Sequence, residues 1–236
     1  MIHVALCPTE IRRYAAQDLT GVTAVVFDVL RATSSIVTGL AHGVTRIIPV
    51  STIKEAQDRR GIDPSLVLAG ERGGLPIEGF DIGNSPSEFV ELKGRGIVMT
   101  TTNGTLAIQG VRGARKVYIG ALLNLDALAD LLFRTRPKEL LLVCAGTGEE
   151  FALEDALGAG ALLARLSDET GLSDAATLAR SVYERVGDDL LEWLRQTRNG
   201  RALQEIGKGT DILDCAEVSR YEAVGVLEGD TIVAAK

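Results

Sequence analysis

The sequence predicts an α/β fold: a mainly parallel β-sheet with helices on both faces, in three layers, with a helical C-terminal region. Three observations carry this. Short, continuously apolar, β-rich runs recur at Val4–Cys7, Val22–Phe27, Arg46–Val50, Leu66–Ala69, Ile97–Thr101, Lys116–Ile119 and Leu140–Cys144. Helical patterns fall between several of them, at Ala32–Ala41, Ile53–Arg60, Gly104–Val111 and Asn124–Arg134. From Glu150 to Gly207 the pattern turns helical altogether. Apolar strands separated by helices are those of a parallel sheet covered on both sides.

The elements follow in order. The opening M-I-H-V-A-L-C-P has no basic region ahead of its apolar stretch, so it reads as a first strand and not a signal peptide. Thr33 and Ser34 suit a helix start after the strand Val22–Phe27. The later helical run packs through small residues over Ala156–Ala164, restarts at Ser173 or Asp174, and breaks over Gly207–Asp214. A short strand near Thr231–Ala234 closes the chain. Thr33–Val50 and Asn103–Gly120 share one pattern of helix, glycine, basic residue and strand, and each leads through a further helix to a strand ending Ala-Gly. This fits two related βαβαβ halves, and equally the regularity of any α/β protein. No linker separates the halves, so residues 1–236 read as a single domain.

Hydrophobic residues make up 46% of the 236 and aromatic ones only 4%, which predicts a full, aliphatic core. No apolar run is long enough to span a membrane. The net charge of −7 gives no footprint for nucleic acid. The three cysteines, Cys7, Cys144 and Cys215, are odd in number and lack zinc-type spacing, as expected of a reducing, cytoplasmic setting.

Ligands of open α/β sheets gather beyond the carboxyl ends of the strands. Polar clusters fall at such ends: Asp28-Val-Leu-Arg31-Ala-Thr33-Ser34-Ser35, Gly70–Pro86, Thr100-Thr-Thr-Asn103-Gly104-Thr105, and Ala145–Asp155. The Gly70–Pro86 stretch holds five glycines and two prolines together with Glu71, Arg72, Glu78, Asp81 and Asn84. Acids leaving buried strands suit a hard cation, and arginine, hydroxyls and backbone amides suit an oxyanion. Taken singly, each cluster is equally an ordinary cap or turn.

Several other mechanisms are absent. Gly207-Lys208-Gly209-Thr210 has Ala202 where a phosphate-binding P-loop needs glycine, and no G-x-S-x-G elbow occurs. Of the two histidines, His42 sits before Gly43 at a helix end as a cap. Cys7 and Arg13 have the spacing of a cysteine-phosphatase loop, but no glycine lies between them and Glu10 would repel phosphate. What remains is carboxylates, arginines and amide donors, an inventory for metal-assisted hydrolysis of an anionic ester.

In these clusters the chain resembles the 2-phosphosulfolactate phosphatase family, the Mg²⁺-dependent phosphatases of coenzyme M biosynthesis. The resemblance lies in D-V-L-R-A-T at 28–33, G-E-R-G-G at 70–74, G-F-D-I-G-N-S-P at 79–86, T-T-T-N-G-T at 100–105, C-A-G-T at 144–147 and E-D at 154–155. A weaker echo is Asp211-Ile-Leu-Asp-Cys215. Ser34 and Ser35 stand where further threonines are expected, and Ala223-Val-Gly-Val-Leu lacks an expected proline. The resemblance implies hydrolysis of (2R)-2-phospho-3-sulfolactate to 3-sulfolactate and phosphate with Mg²⁺. It implies Asp28, Glu71 and Asp155, with Glu154 as substitute, as metal ligands. Arg31 and Arg72 become clamps on the substrate's anions, and Thr33, Ser34, Thr102, Asn103, Gly104 and Thr105 its phosphate contacts. Asp28, Arg31 and Asn103 are the expected catalytic groups. Asp28 as a covalent nucleophile is the less favoured alternative, because no second acid follows it in a D-x-D pattern. A phosphatase for another small phosphorylated hydroxy acid, or a non-catalytic anion-binding protein, would share these residues. A homodimer is expected, with Trp193 and Leu190–Leu194 as a candidate surface.

Overall fold

The computed structural model describes residues 1–166 and 171–235. Its centre is one ten-stranded sheet in the order β1-β8-β2-β7-β9-β10-β3-β6-β4-β5. The strands are β1 (Ile2–Ala5), β2 (Val22–Phe27), β3 (Arg46–Pro49), β4 (Val67–Arg72), β5 (Leu75–Pro76), β6 (Gly96–Thr100), β7 (Lys116–Gly120), β8 (Glu139–Cys144), β9 (Gly225–Glu228) and β10 (Thr231–Ala234). One wing, β1-β8-β2-β7, is parallel throughout, and so is the other, β3-β6-β4. The antiparallel hairpin β9–β10 joins them, pairing antiparallel with β7 on one side and β3 on the other. Three antiparallel pairings in succession reverse the strand sense, so the sheet is two parallel wings of opposite direction.

The helices are α1 (Pro8–Ala15), α2 (Ala32–Ala41), α3 (Ile53–Ile62), α4 (Gly104–Gly110), α5 (Leu125–Thr135), α6 (Leu153–Arg165), α7 (Asp174–Val186), α8 (Leu190–Gln196), α9 (Arg198–Glu205) and α10 (Gly209–Ala216). Alternation along the strands sorts the core. Val25, Phe27, Leu140 and Leu142 face α5–α10, whereas Ala24, Val26, Leu141 and Val143 face α1, α2 and α4. Ile47, Val67, Ala69, Ile97 and Met99 of the second wing join that same α2/α4 core. Both wings therefore close on α2 and α4, and α3 covers the outer face of the second wing through Ala56.

The repeat seen in the sequence has a topological counterpart. Exchanging β2-β3-β4 with β6-β7-β8 turns the wing β8-β2-β7 into the reverse of the wing β3-β6-β4. Each half also lends its first strand to the other. β2 lies between β7 and β8, and β6 lies between β3 and β4.

Some expected boundaries move. The first strand is Ile2–Ala5, because Cys7 caps α1 and Pro8 opens it as a first-turn proline. The break over Gly207–Asp214 is confined to a short turn at Ile206, Gly207 (φ +76°) and Lys208, since α9 ends at Glu205 and α10 begins at Gly209. Leu190 and Leu194 are buried inside the chain and offer no dimer surface; Trp193 is exposed. No helix among the described residues is long and apolar enough to cross a membrane.

Ile232 is fully buried on β10, opposite Leu227 and Ile47, where the wings join. Ile232→Ala should cost roughly 2–5 kcal/mol in urea denaturation. Val233→Ala, on the half-buried face of the same strand, should cost less than half as much. Equal losses would show that the hairpin does not anchor the wings.

Candidate active site

The carboxyl ends of β2, β4, β6 and β8 meet at one place. A side chain on Gly104 would lie 2.4 Å from Asp28 Oδ2 and 2.6 Å from the Ala32 Cβ, so only glycine lets the two wings approach there. Two buried acids then tie the loops together. Asp155 accepts from the Val29 amide (2.8 Å) after β2 and the Gly146 amide (3.0 Å) after β8. Glu71 accepts from the Thr102 amide (2.7 Å) after β6 and the Gly74 amide (2.8 Å) beyond β4. The two braces share one pattern, an amide of the acid's own half and an amide two residues past the other half's first strand, although Glu71 lies in β4 and Asp155 in the first turn of α6. Asn103 adds a third tie, donating Nδ2 to Ala145 O and Gly148 O while Oδ1 accepts from Gly148 N.

Locally, Gly73 (φ +59°) and Gly74 (φ +82°) form the two-residue turn between β4 and β5. The rest of the Gly70–Pro86 segment folds back along β4: Asp81 Oδ2 accepts from Leu68 N (2.8 Å), and Gly70 N donates to Gly83 O (3.1 Å). Ser85 and Glu88 then cap the short helical turn Pro86–Phe89.

Above the braces lies a cavity of about 290 Å³. Its polar lining includes Asp28, Arg31, Glu71, Asn84, Thr102, Asn103, Thr147, Arg198 and Asn199, and Leu30, Leu203 and Ile206 supply an apolar wall. Arg31 is buried and pairs with buried Asp211 at 2.5 Å; it also reaches Gly74 O (2.7 Å) and Ser85 Oγ (3.3 Å). Arg198 stands at the rim in an exposed pair with Glu150 (2.9 Å).

Burial is the main reason Asp28 is pushed up to about 7 from an ordinary 3.8. The Ala32 amide and Arg31 oppose that rise, whereas the charges of Glu71 and Glu154 add to it. Burial also raises Glu154, against the bond from Asn199, and raises Asp155, where Asp28 and Glu154 contribute further. Among the described residues no three acidic, histidine or cysteine side chains converge as a ready ligand cluster. Free capacity nevertheless exists. Glu154 Oε1 accepts from Asn199, but its Oε2 is buried with no partner, beside the charge of Asp28. One or two carboxylates and hydroxyl neighbours fit a small hard cation that keeps most of its waters.

The expected site residues separate into two groups. Asp28, Arg31, Glu71, Thr102 and Asn103 line the cavity, and Glu154 sits behind Asn199. Thr33, Ser34 and Thr105 are fully buried, and their hydroxyls hold the starts of α2 and α4: Thr33 and Ser34 bond to Asp28 O and Val29 O, and Thr105 to Thr101. Gly104 provides the close approach to Asp28. Arg72 turns to Glu71 O (2.6 Å) and Thr100 Oγ1 (3.0 Å) and is not among the lining residues. Sequence reasoning missed Asn84 as a lining residue, and Thr147, Arg198 and Asn199 with it. The one sequence signal for the last two is Thr197-Arg-Asn-Gly200, in which Thr197 caps α9 through Gly200 N.

The fold and this cavity define an α/β protein whose ligand pocket is built from buried acids, arginines and amides at strand carboxyl ends. A family profile described as 2-phosphosulpholactate phosphatase matches residues 6–230. The chain is 37% identical over 222 residues to a probable 2-phosphosulfolactate phosphatase of Caldanaerobacter subterraneus, covering 92% of each. It is 38% identical to one of Symbiobacterium thermophilum (92% of this chain, 97% of the relative). It is 39% identical to one of Clostridium acetobutylicum (83% and 85%). This chain belongs to the 2-phosphosulfolactate phosphatase family, a family of phosphoric monoester hydrolases.

Asp28 gives a pH signature. Its folded value lies above its unfolded one, so its contribution to stability is full below about pH 4 and is lost as pH rises through about 7. In chelator, urea-denaturation stability should therefore fall from pH 5 to pH 8. Asp28→Asn should flatten that slope and raise Tm at pH 8 by about 5 °C. An unchanged slope would show that Asp28 does not carry it.

Proposed function

We propose that this chain hydrolyses (2R)-2-phospho-3-sulfolactate to 3-sulfolactate and inorganic phosphate, with Mg²⁺ held by Asp28 and Glu154. One observation carries the reading. Of the two buried side-chain atoms that lack any partner among the described residues, Asn84 Oδ1 belongs to a lining residue of this cavity, as Asp28 is, and Glu154 Oε2 belongs to a carboxylate bonded to the lining Asn199. Unsatisfied buried groups are costly and persist where a ligand completes them. Family membership supplies the ester class.

The chain's own groups divide the work. Asp28, held by the Ala32 amide on Oδ1, presents its other oxygen toward the Gly104 side of the cavity. Glu154 is oriented by Asn199, which also holds the Thr147 hydroxyl (2.7 Å). Asn103 and Asp155 fix the Gly146–Gly148 loop against the ends of β6 and β2. Arg31 is held at the cavity wall by Asp211 and Gly74 and offers a fixed charge to the substrate's anions. Glu71 serves as a brace, holding the Thr102 and Gly74 amides at the cavity wall. Bound at Asp28 and Glu154, the cation would polarise the phosphoryl oxygen and favour in-line attack by water.

A panel of phosphate esters assayed with Mg²⁺ tests this. Phosphosulfolactate should give the highest kcat/KM, and EDTA should abolish turnover. Asp28→Asn and Glu154→Gln should each lower kcat by at least about a hundredfold. Preference for an ester without a sulfonate would sink the substrate assignment. Tight binding without turnover would instead favour an anion-binding protein.

A further inference from the structure

Asn84 is a buried amide with nothing to hold. The residue is 3% exposed and lines the cavity; its Oδ1 is buried without a partner, and its Nδ2 bonds to no protein group among the described residues. Its surroundings are the opposite of loose. The Asn84 carbonyl accepts from Ser35 Oγ (2.9 Å) of α2. On either side, Gly83 N and Ser85 N donate to the Glu88 carboxylate. Ser85 Oγ is locked between Asp211 Oδ2 (2.8 Å) and Arg31 (3.3 Å). A rigid backbone thus holds an unpartnered amide at the cavity wall, where an amide used only for packing would have found a partner. Arg31 and Glu71, which share that wall, already have protein partners.

We propose that the Asn84 side chain is a specificity-determining substrate contact, donating its amide N–H to the acid group that accompanies the phosphate on the substrate. This rests on the phosphatase reading above. With no partner to fix it, the amide can turn about its last bond and present either NH₂ or oxygen to the cavity. The guanidinium of Arg31 lies alongside through Ser85, while its counter-ion Asp211 does not line the cavity. An anion is therefore the favoured guest on this wall. Glu154 Oε2, also unpartnered among the described residues, belongs to a separate hydrogen-bonded group with Asn199 and Thr147. The phosphoryl group has its place near Asp28 and Glu154, and a carboxylate or sulfonate has its place near Arg31 and Asn84.

The test compares wild type, Asn84→Ala and Asn84→Ser on phosphosulfolactate and on phenyl phosphate, which carries no acid group besides the phosphate. Inhibition by 3-sulfolactate and by inorganic phosphate is measured in parallel. Asn84→Ala should raise KM for phosphosulfolactate and Ki for 3-sulfolactate by about 10- to 100-fold. The loss in kcat/KM should be at least tenfold larger for phosphosulfolactate than for phenyl phosphate, and Ki for phosphate should shift far less. Asn84→Ser, which retains a donor, should recover part of the difference, and it is judged alone by the same criteria if the alanine variant does not fold. Equal losses on both esters, a loss in kcat alone, or an unchanged Ki for 3-sulfolactate would overturn the inference. Wild-type turnover of phosphosulfolactate checks the underlying reading separately. If wild type prefers another acid-bearing ester, that ester and its alcohol replace phosphosulfolactate and 3-sulfolactate in the comparison. If it hydrolyses none, the inference falls too.

Discussion

Two buried carboxylates, Glu71 and Asp155, decide whether this pocket exists. Each spends both oxygens on backbone amides from two different loops, so each joins two strand ends that no ladder bond connects beyond the sheet. A buried carboxylate is tolerable only when hydrogen bonds replace its lost hydration, and a buried amide only when something accepts from it. The two needs are met by each other. Removing either acid would strand two amides, and the loops carrying Asp28, Thr102, Asn103 and Gly146 would lose their common reference. The roles that acids play here are thus unlike. Glu71 and Asp155 hold the frame, whereas Asp28 and Glu154 keep coordination capacity for a ligand.

The braces also show how a duplicated plan can give one site. Under the exchange of halves Thr102 corresponds to Val29, and each is held by an acid of the other half, Glu71 from the end of β4 and Asp155 from the first turn of α6. The same relation pairs Thr33 with Thr105, whose hydroxyls accept from the amides of Asp28 and Thr101, each the first residue past its strand. The frame is symmetric, but its chemistry is not. Asp28 is an acid raised by burial and by neighbouring charge, and its counterpart Thr101 is a threonine bonded to Thr105. Because β2 and β6 are each inserted in the other half's wing, their ends converge on a single cavity. Two equivalent acids there would have raised each other further; one acid and one hydroxyl leave room for an anion.

Local sequence carried much of this and missed the rest for definable reasons. The apolar strands and the polar clusters at their ends were legible because burial on both faces and loop polarity leave direct marks, as in Val22–Phe27 followed by Asp28. The reversal of strand sense was not, because it depends on β9–β10 inserting between β7 and β3, a pairing of residues far apart in the chain. Helix α1 was hidden because Cys7-Pro8 reads as the end of a strand until Glu10 is seen to accept from Leu6 N. At the site, residue type could not separate brace from ligand. Glu71 and Asp28 are both acids after buried strands, and only the positions of the Thr102 and Gly74 amides distinguish them. Thr33 and Ser34 read as anion donors, yet their hydroxyls are spent on Asp28 O and Val29 O. Asn84 was passed over in a loop rich in turn residues, and its lack of any partner is a property of the folded chain alone.

Charge balance links the two ligands of the proposed reaction. The cavity gathers Asp28 and Glu71, with Glu154 and Asp155 behind them, while its buried cation, Arg31, is already matched by Asp211. A substrate bearing phosphate, carboxylate and sulfonate would enter against that field unless a cation came too. A cation alone would be drawn to Asp28 and Glu154 but would lack the phosphate oxygens that complete a hard ion's shell. Each ligand thus improves the site for the other, and such coupling is reciprocal by thermodynamic necessity. In the proposed complex the side chains of Asn84 and Glu154 would meet different members of that pair, and the cost of leaving both unpartnered would be recovered when cation and ester bind together.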